Sequence, residues 1–473
     1  MTNQNSGYAD IVLGLQYGDE GKARVVDMLA PNYDIVARFN GGANAGHTIE
    51  TKEGGKVALN QVPSAIFYPE TTLYVGSGCA INFQKLLKEV ENIEALGVKL
   101  EGRFHISPQA SVVQPHHLII DGITGGKVGT TKNGIGPCYA DRAKRTNPQS
   151  IANIRTGDFL NDPESAFKDV ETNLRMAHKY HDFDLQEGLD LLAKMRTAVT
   201  VISKFIEKDP LFLQKQVEQG KSVLFEGAQA VMLDVSKGSV PYVTSSNTTA
   251  AAAYTGGDLS PNYHRKTIGV VKAIMSRVGH GPFPSEFGGA KSEEYCMKAT
   301  ADGGPEYGRA VEKEYDLEKY LSSPDEFEMG VALRILSGEY GTVSTRPRRV
   351  GALDLVQLNY AISMNNVTDL VITKCDLLNA YAKTHKAQSP LVKGYTLNGE
   401  AIDYLPGSTG AYYQTEATVE YLPAFSEDIS EVRDPQNLPE AMHTFIKAVE
   451  DFTHCTVIGL GVGPEREQYV KIA

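Results

Sequence analysis

The chain has 473 residues, enough for one large domain or two to three of roughly 150 residues each. Its 46 basic and 58 acidic side chains give a formal net charge of -12, which opposes a chain-wide electrostatic footprint for nucleic acid but leaves room for a local basic pocket. Hydrophobic residues at 41% and charged residues at 22% exclude wholesale disorder, and no apolar run approaches the about 18 residues of a membrane span.

The cysteines, Cys79, Cys138, Cys296, Cys375 and Cys455, are odd in number and form no Cys-x-x-Cys pair. Reduced, mostly structural thiols in a cytosol are expected, not a disulfide framework or a zinc ribbon. Residues 1–8 lack the basic, apolar and small-residue succession of a signal peptide.

In chain order, short β-branched runs end in glycine-rich polar turns. Residues 11–15 lead into Gln16-Tyr17-Gly18-Asp19-Glu20-Gly21-Lys22. This turn resembles a phosphate loop but departs from the P-loop pattern: Gln16 stands at the first glycine and Ala23 where Ser or Thr would bind magnesium. The Asp19-Glu20 pair suits a metal ligand or general base; a strand-to-helix turn with an Asp near the N-cap is the plainer reading. Residues 34–39 run into Asn40-Gly41-Gly42-Ala43-Asn44-Ala45-Gly46-His47-Thr48. Its glycines admit close backbone approach, Asn44 offers an amide, and His47 can exchange a proton near pH 7.

Residues 73–75 form another strand, ending in Gly76-Ser77-Gly78, and residues 82–96 show helical spacing stopped by Gly97. Gly129-Thr130-Thr131, Gly134-Ile135-Gly136-Pro137 and the cations Arg142, Lys144 and Arg145 suit a phosphate monoester, or else form an exposed basic loop. Residues 167–206 read as mostly helical, most firmly from 185. Residues 222–225 run into Glu226-Gly227-Ala228-Gln229. The acidic stretch 288–338 reads as an inserted surface subdomain or long excursion rather than core. Ser344-Thr345-Arg346-Pro347-Arg348-Arg349 suits carboxylates and phosphates, or is a solvated basic patch. A helix is expected over 353–363, a strand over 370–372 ending in Thr373-Lys374-Cys375-Asp376, and a small β excursion over 383–403 with an Asn398-Gly399 turn. The last strand, 455–460, ends in Gly461-Val462-Gly463-Pro464.

Near-continuous apolar runs suit strands buried on both faces, and their alternation with helices points to α/β architecture with a large, mainly parallel central sheet. Ligands then collect beyond the carboxyl ends of the strands, where the glycines, charges and amides fall. Thr373-Lys374-Cys375-Asp376 resembles the guanine reader of GTPases: a carboxylate can accept from both N1-H and the 2-amino group of guanine, a donor pair adenine lacks.

Taken together, these blocks resemble the adenylosuccinate synthetase family from Gln16 to Arg466, with Pro241-Tyr242-Val243-Thr244-Ser245-Ser246-Asn247-Thr248-Thr249 and Arg277-Val278-Gly279-x-Gly281-Pro282-Phe283-Pro284 continuing the match. The resemblance implies one P-loop-like, GTP-binding ligase domain over 1–473, with 288–338 an acidic insertion or excursion within it. It implies a cytoplasmic homodimer that joins L-aspartate to IMP with GTP and magnesium, through a 6-phosphoryl-IMP intermediate, in AMP biosynthesis.

By that carry-over Asp19, His47 and Lys22 are catalytic, and Asp19 with the Gly46 carbonyl holds magnesium. IMP is expected against Asp19, Glu20, Gly21, Lys22, Asn44, Ala45, Gly46, His47, Thr131, Gln229, Thr244, Arg346 and an Arg145 that crosses the dimer interface. Aspartate is expected against Val343, Ser344, Thr345, Arg346 and Arg348. GTP is expected against Gly18, Gly21, Lys22, His47, Thr48, Arg348, Lys374, Asp376, Gly461 and Gly463. Four places depart from the family pattern: Ala23-Arg24 for Gly-Lys, Lys132-Asn133 for Gly-Arg, Val343-Ser344-Thr345 for Thr-Thr-Gly, and Gly461 for a serine. The alternatives are a synthetase acting on (d)GMP to give the 2-amino product, against which the retained Asp19 argues, and a GTP-binding regulator without catalysis, against which Asp19 and His47 argue.

Overall fold

Alternate residues of the apolar runs enter two different cores. Ile11, Leu13, Ile35, Ala37, Val223 and Phe225 join one apolar cluster, while Val12, Val36 and Leu224 join another. A strand sandwiched this way has no polar face, which is why the runs read as continuous. The computed structural model describes residues 7–50, 56–127, 130–301, 308–341 and 346–472; of the His47–Glu50 strand it describes the backbone and the Ile49 side chain.

The central sheet has nine strands: β1 (Ala9–Gly14), β2 (Ile35–Arg38), β3 (Thr72–Val75), β4 (Phe104–Ile106), β5 (Val223–Glu226), β6 (His264–Lys272), β7 (Asp369–Thr373), β8 (Thr456–Gly461) and β9 (Tyr469–Lys471). Their spatial order is β9-β8-β7-β6-β1-β5-β2-β3-β4, parallel throughout except for β9. The register sets Val12 opposite Glu226, Glu226 opposite Arg38, and Lys272 opposite Thr373. All parallel strands therefore end at one edge, and the loops after β1, β2, β5, β7 and β8 emerge there together.

Helices cover both faces. α1 (Lys22–Leu29) follows the first loop, and its N-cap is Gly21 with no side-chain cap, so Asp19 does not cap it. α2 (Phe83–Ala95) is capped by Asn82, which accepts from the Lys85 amide. α3 (Pro115–Thr124) packs on α4 (Ile135–Lys144). The helices Pro163–Tyr180 and Leu185–Ile202 follow, the first starting earlier than its apolar spacing suggests because Asp162 caps it ahead of Pro163. The helix expected over 353–363 is Leu355–Asn365; Leu353 and Asp354 still belong to the strand Arg349–Asp354, and the Asp354 carboxylate caps the helix through the Gln357 amide.

That strand joins a second, five-stranded sheet containing the hairpin Gln388–Leu397 and Glu400–Ile402, with Asn398 and Gly399 at positive φ in its turn. The acidic stretch differs from its sequence reading. It folds into helices whose Met329, Ala332 and Leu333 enter the main core, and it buries a Glu312–Arg334 ion pair of 2.7 Å. Acidic composition predicted a surface, but most of its charge lies on the outer faces of helices whose inner faces are core.

Candidate active site

The loop after β1 separates its two acids. Asp19 takes a left-handed φ of 57°, and this turn sends its side chain outward (47% exposed) while Glu20 is buried. The Glu20 carboxylate accepts from the Gly18 amide at 2.8 Å and the Gln16 amide at 3.2 Å, and pairs with Lys22 Nζ at 2.7 Å. Glu20 thus shapes the loop and aims the lysine. Gly14 leaves room for this pair, since a Cβ on it would lie 2.2 Å from Glu20 Oε2 and 2.8 Å from Lys22 Nζ and displace them. The Thr373 hydroxyl donates to the Glu20 carbonyl at 2.7 Å, and Gln16 exchanges hydrogen bonds with the Lys272 backbone. The first loop is thereby tied to β6 and β7.

On one side of this loop lies an amide cradle. A Cβ on Gly41 would meet Ala228 Cβ at 2.8 Å, Gln229 Oε1 at 3.1 Å and Asn44 Oδ1 at 3.6 Å, so bare backbone here lets two amide side chains approach each other. Asn44 Oδ1 accepts from the Gly42 amide, whereas Gln229 Oε1 is buried without a partner among the described residues. A dry, unpartnered carbonyl oxygen in such a cradle is suited to a ligand's N–H donor. Asn40 braces it, accepting from the Ala228 amide and donating to Ser246 Oγ. Ser245, beside Thr244, comes within 3.1 Å of a Cβ built on Gly136, so the start of α4 and the Thr244 segment adjoin. Thr131 is exposed and accepts from Asn133. Arg145, also exposed, sits at the opposite end of α4 from Gly134, about 15 Å along a ten-residue helix.

On the other side is a cleft of about 350 Å³ whose walls include Asp19, Gly21, Arg24, Asp27, Lys374, Asp376, Gly463 and Arg466. Burial lifts the Asp376 carboxyl above its ordinary value, with Lys374 and Arg24 pulling it back, so a pair of N–H donors would suit it. Arg24 reaches the Gly463 carbonyl, and the Gln468 carbonyl at 2.7 Å, while Arg466 pairs with Asp27 at 2.9 Å. These two arginines anchor the loop after β8 as a wall. Gly461 lies beside Thr373, where a Cβ would be 3.3 Å from Thr373 Cα.

Arg348 links the first loop to a buried acid. One guanidinium nitrogen pairs with Asp19 at 2.6 Å and another with the buried Glu339 at 2.7 Å. Arg334 of the acidic stretch donates to the Arg348 carbonyl at 2.9 Å, so that stretch braces the arginine loop from beneath. Arg346 is half-buried, whereas Arg349 is locked on Glu286 and the Gly279 and Gly281 carbonyls. Val343, Ser344 and Thr345 lie outside the described residues, as do Gly129 and the side chains of His47 and Thr48; the His47 backbone opens the strand that follows the Asn44 loop. Sequence reasoning did not find Glu339, Lys272 or Arg466; the one local signal for Arg24 is its break from the family's Gly-Lys.

A family model described as adenylosuccinate synthetase matches residues 11–470. The chain belongs to the adenylosuccinate synthetase family. It is 44% identical over 468 residues to adenylosuccinate synthetase 2 of Cupriavidus pinatubonensis, covering 99% of this chain and 98% of that one. It is 34% identical to the Bifidobacterium adolescentis adenylosuccinate synthetase over 98% of both chains. The fully ligated adenylosuccinate synthetase from Plasmodium falciparum superposes with a TM-score of 0.81 at 31% identity, covering 99% of this chain and 100% of that chain. A cyanophage S-2L succinoaminodeoxyadenylate synthetase, bound to dGMP and to dATP as energy donor, shares the fold at TM-score 0.58 and 17% identity. As a member of the adenylosuccinate synthetase family, the chain is a ligase that joins aspartate to IMP with GTP.

Among the described residues, His116, His117 and Asp141 are the side chains whose potential metal-ligand atoms converge. The proton positions on α3 speak against a metal there. The Gln114 amide donates to His117 Nδ1 at 3.0 Å, which leaves the proton on Nε2, where it is donated to Asp141 at 3.1 Å. Burial, aided by His116, pulls the His117 imidazole down to about 3, while Asp141, raised by burial, is carried well below its ordinary value by both histidines. An unfolded histidine titrates near 6.5. The unfolded chain therefore binds the extra proton as pH falls from about 6.5 toward 3, and stability falls with it, by up to about 1.4 kcal/mol per pH unit for one proton. His117→Asn keeps an acceptor for Gln114 and removes the titration. It is expected to melt earlier than wild type at pH 7.5 but to lose less on going to pH 5. Parallel melting-temperature slopes for the two proteins would refute this linkage.

Proposed function

We propose that the loops at this sheet edge divide the ligation among them, with Asp19 as base and bridge. IMP lies in the Asn44–Gln229 cradle with its phosphate toward Thr131. Asp19 removes the N1 proton, and the 6-oxygen attacks the γ-phosphorus of GTP. Lys22, aimed by Glu20, stabilises charge on the transferring phosphoryl group, and His47 protonates the departing β–γ bridge oxygen. The aspartate amine, with its carboxylate on Arg348, then attacks C6; phosphate leaves and the amine loses a proton. Phosphorylation is needed because a carbonyl oxygen is a poor leaving group. Most of the remaining work is positioning.

The donor set fits magnesium, which favours one or two carboxylates plus substrate phosphates. The outward-facing Asp19 carboxylate and the exposed Gly46 backbone are the groups that would hold it. When bound it neutralises phosphate charge.

The observation that carries this reading is that Asp19 and Asp376 line the same cleft, so the base and the guanine reader face one nucleotide-sized space. Buried cysteines that form no disulfide among the described residues suit a reducing cytoplasm, and no helix among the described residues is long and apolar enough to cross a membrane.

The test is absorbance change with IMP, GTP, magnesium and aspartate, omitting or swapping each, with ATP for GTP and dGMP for IMP among the swaps. Wild type is expected to require all four and to prefer GTP. Asp376→Asn is expected to erode that preference about tenfold or more, since an amide cannot accept from both guanine donors. Equal use of ATP by wild type sinks the guanine assignment, and turnover of dGMP with none of IMP sinks the choice of IMP.

A further inference from the structure

Behind the cleft lies a carboxylate outside the chemistry described so far. Glu339 is 1% exposed and sits where three cations converge: Lys272 Nζ at 3.2 Å, Arg348 Nη1 at 2.7 Å, and the Lys374 ammonium. Ser276 Oγ donates to it at 2.7 Å. Lys272 is wholly buried and also meets Ser276. The other two cations reach outward. Lys374 lines the cleft beside Asp376, and Arg348 extends to Asp19. One buried side chain therefore ties down one cation from the guanine side and one from the aspartate side.

We propose that Glu339 is a positioning residue that couples the nucleotide and aspartate sites by holding Lys374 and Arg348 on a single carboxylate. This rests on the assignments of Lys374 to guanine and Arg348 to the aspartate carboxylate. Burial by itself pushes the Glu339 carboxyl upward, but Lys272, Lys374 and Arg348 outweigh it and hold it well below the usual carboxylate range. Ionised and dry, it attracts strongly, because the surrounding medium screens little. Without its charge, the three cations repel one another, and Lys374, which lines the cleft, and Arg348, which already reaches Asp19, turn away from the wholly buried Lys272. Both substrate contacts are then lost together, although neither substrate touches Glu339. The amide cradle for IMP is built from other loops and is untouched.

The experiment measures the three Michaelis constants and kcat of Glu339→Gln, alone and in Lys374→Ala and Arg348→Leu backgrounds. If the single variant does not fold, Glu339→Gln with Lys272→Met removes one buried charge of each sign and replaces it. Expected is a rise of about tenfold or more in KM for both GTP and aspartate, the loss of a charge-assisted contact at each, with KM for IMP within about twofold. The aspartate effect vanishes in the Arg348→Leu background, and in the Lys374→Ala background the GTP effect falls to the part that passes through Arg348, because each acts through those cations. A fall in kcat with all three constants unchanged, an equal rise in all three, or full additivity in both backgrounds overturns the coupling and leaves the substrate assignments standing. If Arg348→Leu by itself leaves KM for aspartate unchanged, the assignment of Arg348 fails, and the coupling with it.

Discussion

Asp19→Asn and His47→Ala are each expected to lower turnover at least about 10²-fold, the low end for acid–base groups, while the protein stays folded. Asparagine is the better replacement at position 19 because the φ of 57° is tolerated by Asn and strains alanine. The Asp19 side chain is 47% exposed, and Arg348 keeps Glu339 as a partner when Asp19 is neutralised, so little stability depends on it. The loss therefore falls on the chemical step: an amide cannot take the N1 proton of IMP, and the 6-oxygen remains a weak nucleophile. Turnover is measured at saturating substrates beside a thermal melt. Near-wild-type turnover in either variant removes that residue from the mechanism.

Arg145→Leu is expected to raise KM for IMP about 10- to 100-fold, the range for a lost charge-assisted hydrogen bond, with far less change for GTP. The geometry of α4 motivates a partner's site. Its first turn adjoins the Thr244 segment, whereas Arg145 lies about 15 Å away at the other end, exposed and with φ at 71°. An arginine serving the phosphate near Thr131 is then best supplied by a second copy across an isologous contact. Mixing Arg145→Leu with Asp19→Asn subunits yields heterodimers with one site carrying neither change. At equal amounts and random exchange, half the dimers are mixed and half their sites intact, so about a quarter of wild-type activity returns. Sedimentation showing a fully active monomer, or no recovery in subunits proven to exchange, rejects the shared site.

Several elements were legible because their determinants are local. The runs at 11–15, 34–39 and 370–372 announce themselves because both faces of each strand are dry. β6 did not, although it adjoins β1: it opens with His264, Arg265 and Lys266, and the charges of Arg265 and Lys266 meet Asp10 and Asp369 far along the chain. The strand-to-helix switch at Asp354 was hidden because Leu353 continues the apolar spacing of the helix that follows. Most charge of the acidic stretch does face outward, but its buried side was not legible because the partner of Glu312 is Arg334, 22 positions away, and their pairing removes both from water.

The same division holds within the site. Glycine-rich turns, the Asp19-Glu20 pair, the Asn44 loop and the Lys374-x-Asp376 reader each lie within a few residues, so the chain alone determined which chemistry was present and that it belonged at strand ends. Which acid faced the cleft, and which cation met which carboxylate, was decided only by the fold. The order β9-β8-β7-β6-β1-β5-β2-β3-β4 brings Lys272 and Lys374 to one edge beside a loop more than 200 residues earlier in sequence, and the segment leading into the strand Arg349–Asp354 of the second sheet brings Glu339 and Arg348 to meet them. Burial there excludes the water that would otherwise screen them, so partners without any sequence signature become the contacts that hold the site.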